Sequence, residues 1–125
     1  MPVYRYIDDF TAADSYTVIR SMDPLNSNQP ITSAWFTVKS STTDNDSMAL
    51  INVVITTITT TPGFVNNYPD GTALLTFYIQ PPLSEKLQPS QTYYYDICIA
   101  SATDERYTVE EGKLFTTRYV RQVLA

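Results

Sequence analysis

The stretch Thr92-Tyr93-Tyr94-Tyr95-Asp96-Ile97-Cys98-Ile99-Ala100 alternates along its length. Tyr93, Tyr95, Ile97 and Ile99 share one side, and Tyr94, Asp96, Cys98 and Ala100 share the other. A repeat of two is the geometry of a β-strand, whose successive side chains point to opposite faces. Aromatic and β-branched residues suit a pleated, half-buried surface. The stretch therefore predicts a strand with one face in a core, and the neighbouring segments are read against it.

Downstream, residues 101–106 predict a hairpin loop and residues 107–117 a last strand, in which Gly112 marks a bulge or a close backbone approach. Upstream, residues 83–87 predict one helical turn with Leu83 and Leu87 on one side, stopped by Pro89. Residues 72–80 predict a strand with Leu75, Phe77 and Ile79 on one face, preceded by the turn Pro69-Asp70-Gly71. Residues 64–68 form a short strand, and residues 48–60 a bent strand ended by Pro62-Gly63. Residues 31–40 alternate Ala34, Phe36 and Val38 with Trp35, Thr37 and Lys39, and residues 16–20 predict the first strand. Short strands separated by turn signals, with no long helix, predict an all-β sandwich. Its expected core is Phe36, Val38, Leu75, Phe77, Ile97, Ile99 and Leu114.

A chain of 125 residues fits one domain and buries a core without disulfides or metal. The net charge is −5, and the eight basic residues are scattered, which argues against a nucleic-acid partner. A single cysteine, Cys98, excludes an intrachain disulfide framework. No apolar leader follows Met1, and the apolar run at residues 48–55 is broken by Asn52 and too short for a bilayer. No membrane partner is expected, and folding is expected in the cytoplasm.

The chain contains no histidine, which removes the usual nucleophilic triads and most zinc sites. Asp44, Asn45 and Asp46 begin like a calcium loop, but Leu50 and Ile55 stand where glycine or acidic ligands are needed, so a solvated loop is expected. Asp8-Asp9 and Glu110-Glu111 are sequence neighbours, which a strand turns to opposite faces. No glycine-rich phosphate loop is present. The expectation is no catalytic residue, no cofactor and no metal. The tyrosines are suited to stacking on a sugar, and equally to core and rim positions in a sandwich.

One feature exceeds a generic sandwich. Residues 47–84 span 38 positions with a single charge, Asp70. Exposed strands are commonly protected by Lys or Glu, and interface centres are depleted of Lys, Glu and Asp. Residues 47–80 are therefore expected against other subunits, with Thr57 and Thr59 on the bare edge; the alternative is that the threonines solvate an outer face. Of the terminal arms, which carry Tyr4, Tyr6 and Phe10 at one end and Tyr119, Val120, Val123 and Leu124 at the other, at least one is expected to dock likewise; the alternative is that they fold back on the sandwich.

Three stretches carry a resemblance: residues 30–39 (PITSAWFTVK), 83–97 (LSEKLQPSQTYYYDI) and 107–115 (YTVEEGKLF). Together they resemble small phage structural proteins whose Ig-like sandwich is similar to the N-terminal domain of siphophage upper baseplate proteins. The resemblance covers residues 13–117 and departs at Ser90, where that family's turn often has Gly. It implies an Ig-like antiparallel β-sandwich of about seven strands over residues 13–117, with short arms at 1–12 and 118–125. It implies a non-enzymatic virion structural protein of the tail, baseplate, neck or capsid surface, assembled in the host bacterial cytoplasm. The expected partners are other virion proteins and copies of itself. The alternative is a carbohydrate-binding or adhesive Ig-like module.

Overall fold

The β-branched and aromatic runs fold, in a computed structural model, as eight strands and one helical turn among the described residues. The structure describes residues 3–11, 15–22, 30–41, 48–58, 62–69, 72–84, 86–101 and 106–117. The strands are β1 (Val3–Thr11), β2 (Tyr16–Met22), β3 (Ile31–Lys39), β4 (Ile51–Thr56), β5 (Gly63–Asn67), β6 (Ala73–Ile79), β7 (Thr92–Ser101) and β8 (Arg106–Thr117). The helical turn α1 (Pro81–Ser84) lies between β6 and β7. It begins on the Pro81-Pro82 pair, slightly earlier than the sequence predicts, because proline is preorganised for a first helical turn. Leu87 lies beyond the turn and is buried, and the side chain of Leu83 lies outside the described residues.

Five strands make one sheet in the order β1-β8-β7-β3-β4, and three make the other in the order β2-β6-β5. With β2, β3, β6, β7 and β8 as strands B, C, E, F and G, this is the partition of an Ig-like sandwich; β4 extends the CFG sheet as in variable-type domains. A second mark of that fold is present. The hydroxyl of Tyr93, at the start of β7, accepts a hydrogen bond from the backbone of Gln88 at 2.8 Å, the tyrosine corner of such sandwiches. All seven expected core residues are fully buried. Phe36 on β3 lies 5.8 Å from Phe77 on β6 and 5.6 Å from Tyr95 on β7, so aromatic packing joins the sheets.

The N-terminal segment corrects an expectation. Residues 3–11 are not an arm outside the sandwich but its strand β1, parallel to β8 with Val3 opposite Glu110 and Ile7 opposite Leu114. Among the described residues the strands therefore number eight rather than about seven. Ile7 and Phe10 drive the pairing, being only 3% and 0% exposed, and burying two such side chains is worth several kcal/mol, roughly 3–6 at the usual area coefficient. Gly112 makes room: a Cβ there would overlap the Arg5 carbonyl, so the close backbone approach, not a bulge, is its role. The register slip in β8 falls instead at Val109, between the pairs Ile97–Glu110 and Cys98–Thr108. The C-terminal arm expected at residues 118–125 lies outside the described residues.

The turn before β7 holds Ser90 in a conformation that favours glycine. Its φ is 59°, in the left-handed region that glycine occupies without steric cost. Its neighbours hold it there. The Ser90 amide donates to the Thr116 carbonyl at 2.9 Å, the Gln91 amide to the Thr116 hydroxyl at 2.9 Å, and that hydroxyl to the Gln88 carbonyl at 2.6 Å. Ser90→Gly keeps the backbone bonds and removes the Cβ penalty, partly offset by the greater freedom of glycine in the unfolded chain. It is expected to raise stability by about 0.5–1 kcal/mol. An unchanged or lower urea midpoint would contradict this.

Candidate functional site

The strongest cluster of ionisable groups is interior. In β8 the alternation that buries Leu114 also turns Gly112 and Glu110 inward, and Glu110 is 2% exposed. Its carboxylate accepts the Tyr95 hydroxyl at 2.6 Å and Arg20 Nε at 2.7 Å, and Arg5 Nε lies at 3.5 Å. Arg20 comes from β2 in the small sheet, and Tyr95 and Glu110 from the large one, so the group spans the two layers. Burial pushes the Tyr95 hydroxyl well above the ordinary tyrosine range, and the bond and charge of Glu110 add to it. Burial opposes the Arg20 charge, but Glu110 outweighs it and holds the guanidinium more firmly protonated.

The other flagged groups do not assemble. Glu111 points to the opposite face from Glu110, as expected. Asp9 accepts the Tyr16 hydroxyl at 2.6 Å, and burial followed by that contact raises Tyr16. Cys98 is half-buried, 3.4 Å from the Thr108 hydroxyl. Among the described residues no three His, Cys, Asp or Glu side chains group as metal ligands, and no helix is long and apolar enough to cross a membrane. Asp44, Asn45 and Asp46 lie outside the described residues.

The surface feature richest in binding chemistry is the outer face of the five-stranded sheet. Cross-strand registers set its side chains in rows. One runs Lys39–Tyr94–Lys113–Tyr6, from β3 to β1. The next runs Asn52–Thr37–Asp96–Glu111–Tyr4, from β4 to β1. A third runs Val54–Trp35–Cys98–Thr108. A basic row thus lies beside an acidic one. At the β1 edge, Tyr6 stacks on Phe115 with centroids 6.0 Å apart, and Tyr4 meets Tyr6 edge-on at 5.5 Å. At the other end the Arg106 guanidinium covers the Trp35 ring, 4.9 Å from its centre. Two shallow troughs cross the face. One of about 250 Å³ is lined by Tyr4, Lys39, Tyr94, Asp96 and Glu111 among others. The other, of about 480 Å³, is lined by Trp35, Asn52, Asp96 and Arg106 among others. Neither Glu110 nor Arg20 lines them.

The expected docking residues divide accordingly. Tyr4 and Tyr6 are 54% and 60% exposed on this face, presented by a strand and not by an arm. Phe10 is fully buried against Tyr16, 4.9 Å away, so it is a core residue and not a docking one. Thr57 is exposed just beyond β4, and Thr59, Tyr119, Val120, Val123 and Leu124 lie outside the described residues. The uncharged segment supplies β4 at an edge of the large sheet and β5 and β6 in the small one. Trp35, Tyr94, Arg106 and Phe115 were not singled out from sequence as docking residues. For Trp35, Tyr94 and Phe115 the signal is parity, since a strand's outward residues follow once its inward ones are known; Arg106 shares the parity of the buried Leu114 and reaches the outer face only through the slip at Val109.

Glu110→Gln leaves Arg20 part-buried without its counter-charge and is expected to cost about 3 kcal/mol, the low end for a broken buried pair because Arg20 keeps some water. Combining Glu110→Met with Arg20→Met should cost clearly less than Glu110→Gln alone; equal or greater loss in urea titrations would refute an ion-pair role. Tyr95 and Tyr16 hold their protons more tightly folded than unfolded. Their contribution is complete below about pH 10, the unfolded tyrosine value, and is lost as pH rises beyond it. Tyr95→Phe should make that alkaline loss of stability shallower, and an unchanged slope would count against it.

No family model matches the sequence, and no curated protein matches it. Among solved structures the chain is similar to the NK cell receptor Nkp44, described as a triggering partner in natural cytotoxicity, at 15% identity and a TM-score of 0.46, over 93% of this chain and 98% of that one. The assignment as an Ig-like β-sandwich rests on the strand order and the Tyr93 corner.

Proposed function

We propose that the chain is a non-enzymatic structural component of a bacteriophage particle that docks on a neighbouring virion protein through the outer face of its five-stranded sheet. The observation that carries the docking role is the aromatic edge, where Tyr4 and Tyr6 stand more than half exposed against Phe115. Tyr, Trp and Arg dominate binding energy at protein interfaces, and rigid aromatic side chains lose little entropy when they are covered. The basic row of Lys39 and Lys113 beside the acidic row of Asp96 and Glu111 fixes orientation, because a partner strip must carry the reverse order. The phage assignment, with a place in the tail, baseplate, neck or capsid surface, is supported by the resemblance over residues 13–117.

A carbohydrate-binding role is the competing reading. Sugars stack on open aromatic faces, and one face of Trp35 is taken by Arg106 and one face of Tyr6 by Phe115. Protein docking needs no vacant ring face and is preferred.

A Tyr4→Ser, Tyr6→Ser double variant is expected to fold with a near-native melting curve and to enter purified particles at least tenfold less than the parent chain, since one hot-spot truncation costs about 2 kcal/mol. Wild-type copy number for the variant would sink the reading. Glycan-array binding abolished by Trp35→Ala would favour the sugar-binding alternative.

A further inference from the structure

The outer face of the three-stranded sheet differs in kind from that of the large sheet. On β2 it presents Thr17, Ile19 and Ser21, on β6 Leu74, Thr76 and Tyr78, and on β5 Phe64 and Asn66, the positions that alternate with the buried Val18, Leu75, Phe77 and Val65. Registers set them in rows: Thr17 beside Tyr78, Ile19 beside Thr76 beside Phe64, and Ser21 beside Leu74 beside Asn66. None of these positions is Asp, Glu, Lys or Arg, in a chain with thirteen acidic and eight basic residues. Ile19 is 53% exposed, yet Thr76 at the centre is only 4% exposed between its flanking neighbours.

We infer that this face is a homotypic interface that packs two copies of the chain back to back. Charge decides the occupant. Each copy carries a net charge of −5, so two copies repel least where the apposed surfaces hold no charge. A basic or acidic partner, conversely, finds nothing here to complement. The pattern is also self-complementary. A two-fold axis along β6 sets Ile19 of one copy on Phe64 of the other, Ser21 opposite Asn66, and Thr76 on Thr76. Aliphatic-on-ring contact is favourable between sheets, and two twisted sheets stack about 10 Å apart. The seven residues of β6 and a width of three strands give a face of roughly 23 by 14 Å. That is well under the roughly 800 Å² per partner of a stable complex. The contact is therefore weak, monomeric in dilute solution and engaged at the local concentration of an assembled particle. It lies on the side of the sandwich opposite the aromatic face, so both contacts form at once.

Sedimentation velocity and amide NMR from about 10 μM to about 1 mM, the affinity range of small interfaces, test this with the isolated chain. Concentration-dependent dimers are expected, with shifts at Ile19, Phe64 and Thr76. Ile19→Lys should weaken association at least tenfold. A Ser21→Lys, Asn66→Lys variant and a Ser21→Glu, Asn66→Glu variant should each be monomeric and should associate when mixed. The Tyr4→Ser, Tyr6→Ser chain should dimerise normally, which separates this contact from docking on the large sheet. A wild-type chain monomeric at about 1 mM, association indifferent to Ile19→Lys, no rescue on mixing, or dimers lost with Tyr4 and Tyr6 would each overturn the inference. So would a monomeric chain whose charged Ser21 and Asn66 variants fail to enter particles, because the face would then belong to a different protein.

Discussion

A carboxylate inside a sandwich costs free energy unless charge and hydrogen bonds surround it, and Glu110 makes that condition the organising constraint of this molecule. Two of its partners come from β8's neighbours in the large sheet, Tyr95 on β7 and Arg5 on β1, and the third, Arg20, from β2 in the small one. The group is satisfied only when the two sheets are stacked in register, so the electrostatics select one alignment out of those that hydrophobic contact alone would tolerate. Antibody domains link their sheets at this place with a disulfide, two residues beyond the corner tyrosine. Tyr95 occupies that position here. It joins the sheets by packing on Phe36, which in turn meets Phe77 across the core, and by its hydroxyl on Glu110.

The same constraint recruits β1. Arg5 reaches Glu110 only because β1 lies flat along β8, and β1 lies flat only because Gly112 has no side chain to hold the Arg5 backbone away. Once Ile7 is committed to the core, alternation leaves Tyr4 and Tyr6 no choice but the outer face, while an irregularity between Ile7 and Phe10 lets Phe10 turn inward as well. The exposed aromatic edge is thus a consequence of how the interior is closed.

The two outer faces divide the remaining chemistry. Among the described residues the outer positions of the large sheet present rings and charges of both signs, whereas the outer positions of the small sheet carry no charge. The proposed docking and the inferred back-to-back contact use these two surfaces, which lie on opposite sides of the sandwich.

By itself the sequence determined the strands and most of the core. Period-two alternation is local, so residues such as Phe36, Phe77 and Ile97 declare their side without reference to distant chain. The same alternation correctly separated Glu110 from Glu111. It did not reveal which of the two was inside, because a buried carboxylate becomes tolerable only through Arg20, ninety positions away, and that proximity exists only in the folded chain. The N-terminal residues misled for a related reason. A parallel edge strand is defined by its partner β8 at the far end of the chain, and residues 3–11 alone look like an apolar arm. The charge-poor segment was legible as a composition, but its meaning was not. Tertiary structure split it among β4, β5 and β6 and joined two of those strands to Thr17, Ile19 and Ser21 of β2, so that the uncharged surface is a property of the sheet and not of any stretch of sequence.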